Sequence, residues 1–189
     1  MGRRPPESGG EPALLRGPRV ELCPPTREDG PEFLAAVAAS EALHAGYVDP
    51  PATEEDYRAW SQRARSETCA GFLIRRRADG ALLGVANLNQ IRVHEVPPRA
   101  SLGCYGLLGA SQVTGHGYVE EAVRLLAAFG ASARGVAVLE AEVQRENTRS
   151  LAMLQRLGFA ATDLPPRLLR VGGGWRPHDC LRASCPMAE

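Results

Sequence analysis

The chain has 189 residues, enough for one domain of ordinary size that buries about two-thirds of its unfolded surface. Its 22 Lys and Arg balance 22 Asp and Glu, so no global charge marks a binder of nucleic acid or of an anionic membrane. The partner implied is small or peptide-like.

Residues 1–16, rich in Pro, Gly and charge, bury too little apolar surface to repay ordering, which predicts a flexible N-terminal arm ahead of a single domain over 17–185. The arginines of MGRRPPESGGEP have no apolar run behind them, so a secretory signal is not expected, and Pro6 spoils the myristoylation pattern that Gly2 suggests. No stretch approaches the roughly 20 apolar residues of a membrane span. These features predict a soluble, cytoplasmic chain with no membrane partner. The five cysteines, Cys23, Cys69, Cys104, Cys180 and Cys185, are odd in number and scattered, which suits free thiols in a reducing compartment.

Arg19–Cys23 (RVELC) alternates charged and apolar residues before two prolines and predicts a short first strand. Helices follow over Glu32–Ala42 and Thr53–Arg65, the second opening on a threonine cap and three acids where the helix dipole favours them. GFLIRRR and ALLGVANLNQIRV flank Ala78-Asp79-Gly80 and predict an antiparallel hairpin. Ala100–Leu108 (ASLGCYGLL) extends it to a meander. Apolar residues at three- and four-residue spacing predict a helix over Tyr118–Ala133. Ala137–Gln144 alternates as a strand, and Asn147–Leu157 predicts a further helix with Gly158 as its C-terminal cap. GGGWRPHDCLRASCP predicts a closing hairpin. The order implies an α+β fold: a mostly antiparallel sheet with a parallel pair near its centre and flanking helices.

QVTGHGYVEEA, at residues 112–122, places glycines at the start of the Tyr118 helix. A triphosphate loop needs Gly-Lys-Ser/Thr, but Tyr118 and Val119 follow Gly117. A dinucleotide loop needs a small residue where Glu120 stands. What remains is Gln112-x-x-Gly115-x-Gly117, either an anion cradle of backbone N–H groups at a helix N-terminus or a plain turn.

That pattern, with Asn-x-x-Ser at Asn147–Ser150 and LQRLGF at Leu154–Phe159, resembles the Gcn5-related N-acetyltransferases. LNQIRV, ASLGCYGLL, GHGYVEEAVRLL and EAEVQRENTRSLAMLQRLGF, in that order, are similar to the branch that acetylates the N-termini of ribosomal proteins. The resemblance covers roughly Val20–Arg182. It implies an acyl-CoA N-acyltransferase fold, acetyl-CoA as co-substrate with no metal expected, and an amine acceptor, in first place a protein or peptide N-terminal α-amine and in second a small-molecule amine, with a module that binds acyl-CoA without turnover as the alternative. It also implies a monomer or homodimer.

By the same resemblance the pyrophosphate would rest on the amides of Val113, Gly115 and Gly117, with Gln112, Thr114, His116 and Tyr118 around it. The pantetheine arm would lie beside Leu107 and Leu108, in a splay between that strand and Ala137–Gln144, with Asn147 in reach. The family's usual tyrosine donor would fall at Leu154. The resembled branch instead implies Ser150 as donor to the thiolate, although Ser150 reads equally well as an ordinary first-turn residue. Glu140 and Glu142 share one strand face and are candidates for the general base, with a solvated or ion-paired face as the alternative. RLLRV carries no acid where some branch members place a base, so a water chain stays open as the proton acceptor. Tyr105, Asn87 and Asn89 can line the acceptor pocket or serve the core. A resemblance to the family's terminal Trp-x-x-His-Asp signature makes His178-Asp179 a strand element. His178, Cys180 and Cys185 match no standard zinc spacing.

Overall fold

A computed structural model describes residues 14–107 and 115–187. In chain order the elements are β1 (Leu15–Arg16), β2 (Val20–Cys23), α1 (Gly30–Ala39), α2 (Glu41–His44) and α3 (Glu54–Arg63). Then come β3 (Ala70–Arg76), β4 (Leu82–Arg92), β5 (Arg99–Gly106), α4 (Tyr118–Arg134), β6 (Val138–Val143) and α5 (Thr148–Arg156). The chain closes with β7 (Ala160–Ala161), β8 (Arg167–Val171) and β9 (Gly174–Ser184).

Strand order in the sheet is β1-β2-β3-β4-β5-β6-β9-β7, with β8 paired to β9 off that path. β5 and β6 pair in parallel and all the other neighbours are antiparallel, as the α+β expectation required. The Asp79-Gly80 turn joins β3 to β4, and Gly80 takes the positive φ that such a turn needs. Both sheet faces are covered. Alternation in β3 sends Phe72 and Ile74 toward α4, where they meet Val123 and Leu126. It sends Leu73 the other way, among Phe33, Tyr57 and Trp60 of α1 and α3. Thr53 caps α3 through a 3.1 Å bond from the Asp56 N–H to its hydroxyl oxygen.

Two expectations need correction. The helix over Glu32–Ala42 is interrupted at Ser40, which separates α1 from α2 and turns its hydroxyl back onto the Ala36 carbonyl at 2.7 Å. Such local bonding competes with helix continuation. The arm expected over 1–16 includes Leu15 and Arg16, yet these form β1, in register with Leu22 and Glu21. Residues 1–13 lie outside those described. Among the described residues no helix is long and apolar enough to cross a membrane.

Candidate active site

The parallel β5–β6 pairing runs from Arg99↔Val138 to Leu102↔Ala141 and then stops. Beyond it β5 stays with β4 and β6 stays with β9, so the two central strands part as a fork. The Leu107 N–H bonds the Leu83 carbonyl on the β4 side, so by strand alternation the backbone groups of Gly106 and Cys104 face the open side of the fork. The segment after α2 bridges the two arms. His44 Nε2 donates to the Gly106 carbonyl at 2.7 Å, and Gln144 Nε2 donates to the Gly46 carbonyl at 2.6 Å. Both Asp49 carboxylate oxygens accept the Gly172 N–H at 3.0 Å, tying this segment to the β8–β9 turn.

A cavity of about 830 Å³ runs from the α4 N-terminus into the fork, bordered by Gly115, Gly117, Tyr118, Asn147 and Ser150. A second of about 300 Å³ lies deeper, against Asn87, Asn89, Glu142, Gln144 and His178. The two meet at Tyr47, Val48, Cys104, Tyr105, Asn147, Ser150 and Met153.

At the outer end, Gly115 and Gly117 have φ of 79° and 71°, the left-handed region that favours glycine. Gly117 is the N-cap of α4 and supplies no side-chain bond, so the first-turn N–H groups stay available to an anion. The acids of that turn are neutralised by arginines. Glu121 accepts the Arg19 and Val20 N–H groups at 2.8 and 3.0 Å and Arg19 Nε at 2.7 Å, while Glu120 accepts Arg156 Nε at 3.1 Å. Burial would raise the Glu121 carboxyl, but these bonds outweigh it and hold it below its ordinary range. Arg19 also donates to the His116 carbonyl at 2.7 Å, and its guanidinium lies 5.3 Å from the Tyr118 ring centroid. The His116 ring stacks on Tyr118 with centroids 5.6 Å apart.

Asn147 caps α5, accepting the Ser150 N–H at 3.1 Å, and this fixes the first turn at the junction of the cavities. The Ser150 hydroxyl has no partner among the described residues, and Ser150 borders both cavities. Leu107, expected beside the donor, packs its side chain in the core with Phe33 and Leu73, and its N–H continues the β4 pairing. Leu108, Gln112, Val113 and Thr114 lie outside the described residues.

The two glutamates share a face, since Glu140 lies opposite Arg182 and Glu142 opposite Cys180, but they sit in different surroundings. Glu140 borders neither cavity. Its carboxylate bonds Arg92, Arg99 Nη1 at 3.3 Å and Arg182 Nη2 at 2.7 Å. Burial would raise its pKa, but the hydrogen bonds from Arg182 and Arg92 prevail and lower it. A carboxylate so held is a poor proton acceptor and a good clamp for three strands. Glu142 reaches the inner cavity, with its carboxylate bonded to Arg167. The arginines that claim Glu140 come from distant strands, and no local spacing reveals them.

We expect Glu140→Gln to lower stability by about 2 kcal/mol, because it leaves Arg92, Arg99 and Arg182 together with only Glu95, bonded to the first two, to offset them. Thermal or urea unfolding will measure this. The pH sign follows from the lowered pKa. Unfolded chain binds the proton more readily than native chain, so the contribution is complete above the ordinary glutamate value of about 4.3 and is lost as pH falls through the folded value. The glutamine variant should lack that part of the acid loss.

Sequence reasoning missed His44 and the bridge it makes. His44 is buried, with its ring edge on Tyr105 at 5.5 Å between centroids, and its Nδ1 is sealed without a partner. No motif surrounds it; its role depends on a strand end 62 positions away in sequence. Burial pushes the Cys104 thiol up to about 12, so a neutral thiol borders both cavities. Among the described residues no three His, Cys, Asp or Glu side chains gather as metal ligands.

Residues 19–160 match the acetyltransferase (GNAT) domain family. Among solved structures, Mycobacterium smegmatis RimJ in complex with CoA-disulfide is 23% identical, with 91% of this chain and 86% of that one covered at TM-score 0.76. The Salmonella typhimurium acetyltransferase that modifies the N-terminal serine of ribosomal protein L7/L12 is 15% identical, with 91% and 99% covered at TM-score 0.78. The microcin C7 self-immunity acetyltransferase MccE, in complex with acetyl-CoA and AMP, is 16% identical, with 89% and 93% covered at TM-score 0.76. No curated protein sequence matches the chain.

Proposed function

The chain belongs to the acetyltransferase (GNAT) domain family, and on that footing we propose that it moves the acetyl group of acetyl-CoA to a protein or peptide N-terminal α-amine. The observation that carries this reading is the fork between β5 and β6, continuous in one cavity with the uncapped N-terminus of α4. The two ends suit the two ends of one donor. The α4 amides and the Gly115–Gly117 turn offer backbone N–H groups to a pyrophosphate, and Arg156 borders the same cavity. The open edge of β5 offers the Cys104 backbone groups to an extended amide-bearing arm, and Asn147 stands where that arm would pass.

Acetyl-CoA supplies an activated thioester carbonyl; the protein must orient an amine against it and stabilise the departing thiolate. Ser150, held by the Asn147 cap at the junction, is suited to donate a proton to that sulfur. Glu142 is suited to help orient the acceptor, through Arg167. We propose a single catalytic domain that takes in β1 from Leu15 and extends to residue 185, acting through a ternary complex.

A small-molecule amine is the second reading, favoured by the Asp49–Gly172 tie and the small volume of the inner cavity, about 300 Å³. Release of CoA thiol in the presence of a panel of peptides and small amines separates the two. Acetyl-CoA binding without acceptor-dependent release across the panel would instead favour a sensor of acyl-CoA. Asp49→Ala removes the tie and is expected to change the acceptor KM by about three- to tenfold, with the acetyl-CoA KM unchanged. An equal change in both constants would disconnect this segment from acceptor selection.

A further inference from the structure

We propose that His178, on β9, is the general base that takes the proton from the acceptor ammonium, through its Nε2. This rests on the acetyl-transfer reading above. His178 is 5% exposed and forms part of the inner cavity wall. Its Nδ1 lies 2.9 Å from the Arg176 carbonyl. A carbonyl only accepts, so Nδ1 carries the hydrogen and Nε2 keeps its lone pair. Nε2 bonds none of the described residues, and it is not among the buried polar atoms sealed without a partner. Nε2 is therefore not sealed, and His178 borders the inner cavity.

His44 has the reverse arrangement, with Nε2 engaged by Gly106 and Nδ1 closed off, which suits it to holding the fork rather than to moving protons.

The groups around His178 leave it the proton acceptor of choice. From β8 its register partner is Arg167, and from β6 the facing acid is Glu142; these two bond each other and compensate. Burial pushes up the thiols of Cys104 on β5 and Cys180 on β9 and the phenol of Tyr105, so all three stay neutral. Asp179 points to the other face and pairs with Arg145. Tyr47, Asn87, Asn89, Gln144 and Ser150 complete the surroundings without charge.

The protons balance as follows. The ammonium gives one proton to His178 Nε2 and becomes a neutral amine. Its nitrogen forms a bond to the acetyl carbon, the carbon–sulfur bond breaks, and the thiolate accepts a proton through the Ser150 hydroxyl as the new amide nitrogen loses its second proton. His178 then returns its proton to solvent.

The test is kcat against pH for the full chain with saturating acetyl-CoA and peptide, comparing wild type with His178→Asn. The asparagine amide can still donate to the Arg176 carbonyl but offers no basic nitrogen. The variant should be about a hundredfold slower at neutral pH, and still accelerating above about pH 8, where an α-amine loses its proton unaided. Wild type should have reached its plateau by then. With trifluoroethylamine, which arrives neutral, the variant should lose less than about threefold. An unchanged pH profile, or an equal loss with both acceptors, overturns the assignment. If the asparagine chain does not fold, His178→Gln is read by the same criteria. Wild type that turns over no acceptor overturns the acetyl-transfer reading itself, whereas active wild type with an unaltered variant overturns only the base.

Discussion

Replacing Gly117 by valine is expected to weaken acetyl-CoA binding by about a hundredfold or more, measured by calorimetry on the full chain. Two effects act together. Gly117 has φ of 71°, where a β-branched residue carries backbone strain of about 1–3 kcal/mol. A branched Cβ at the N-cap also stands in front of the first-turn N–H groups that a pyrophosphate would approach. The nearest described atom to a Cβ there is Arg19 Nη2 at 3.5 Å, so the protein itself leaves room and the obstruction falls on the ligand. Gly117→Asn separates the effects, since asparagine tolerates the left-handed conformation. It should keep the melting temperature and lose affinity by a smaller factor. Unchanged affinity in the valine variant would remove the cradle from the proposal.

Replacing Ser150 by alanine is expected to lower kcat by about a hundredfold, the scale of one lost proton donor at a developing charge. The KM for acetyl-CoA should stay nearly constant, because the hydroxyl matters when sulfur begins to leave rather than when the donor binds. The backbone effect should be small. The Asn147 cap bonds the Ser150 N–H, which alanine retains, so α5 keeps its first turn. A rate equal to wild type would return Ser150 to an ordinary helix position and leave solvent to protonate the thiolate.

Both substitutions act at positions that were visible in the amino-acid order, and the reason is local. Gly115, Gly117, Asn147 and Ser150 each owe their placement to a helix start, which short-range pattern reveals. The hairpin at Asp79-Gly80 and the parallel approach of β5 and β6 were legible for the same reason, from turn chemistry and the change of hydrophobic period. What sequence reading left open depends on distant partners. Glu140 read as a possible base because nothing near it in sequence announces Arg92, Arg99 and Arg182. His178 was legible as part of β9, but its proton arrangement is set by a backbone carbonyl two residues away and becomes meaningful only beside the cavity. Ser40 divides α1 from α2 through one hydroxyl, a competition that residue propensity alone does not resolve.

The bridge across the fork, His44 to one arm and Gln144 to the other, has a kinetic consequence. A fork closed at its tip has separate approaches on either side. On the proposed reading the donor would enter past α4 and the acceptor from the other side of the bridge, so neither would need to wait for the other to clear a shared doorway. Initial rates with both substrates varied should then give intersecting lines, and each product should inhibit without enforcing an order of arrival. A compulsory sequence, with acetyl-CoA always first, would mean that the bridge moves with each turnover instead of standing as a fixed lintel.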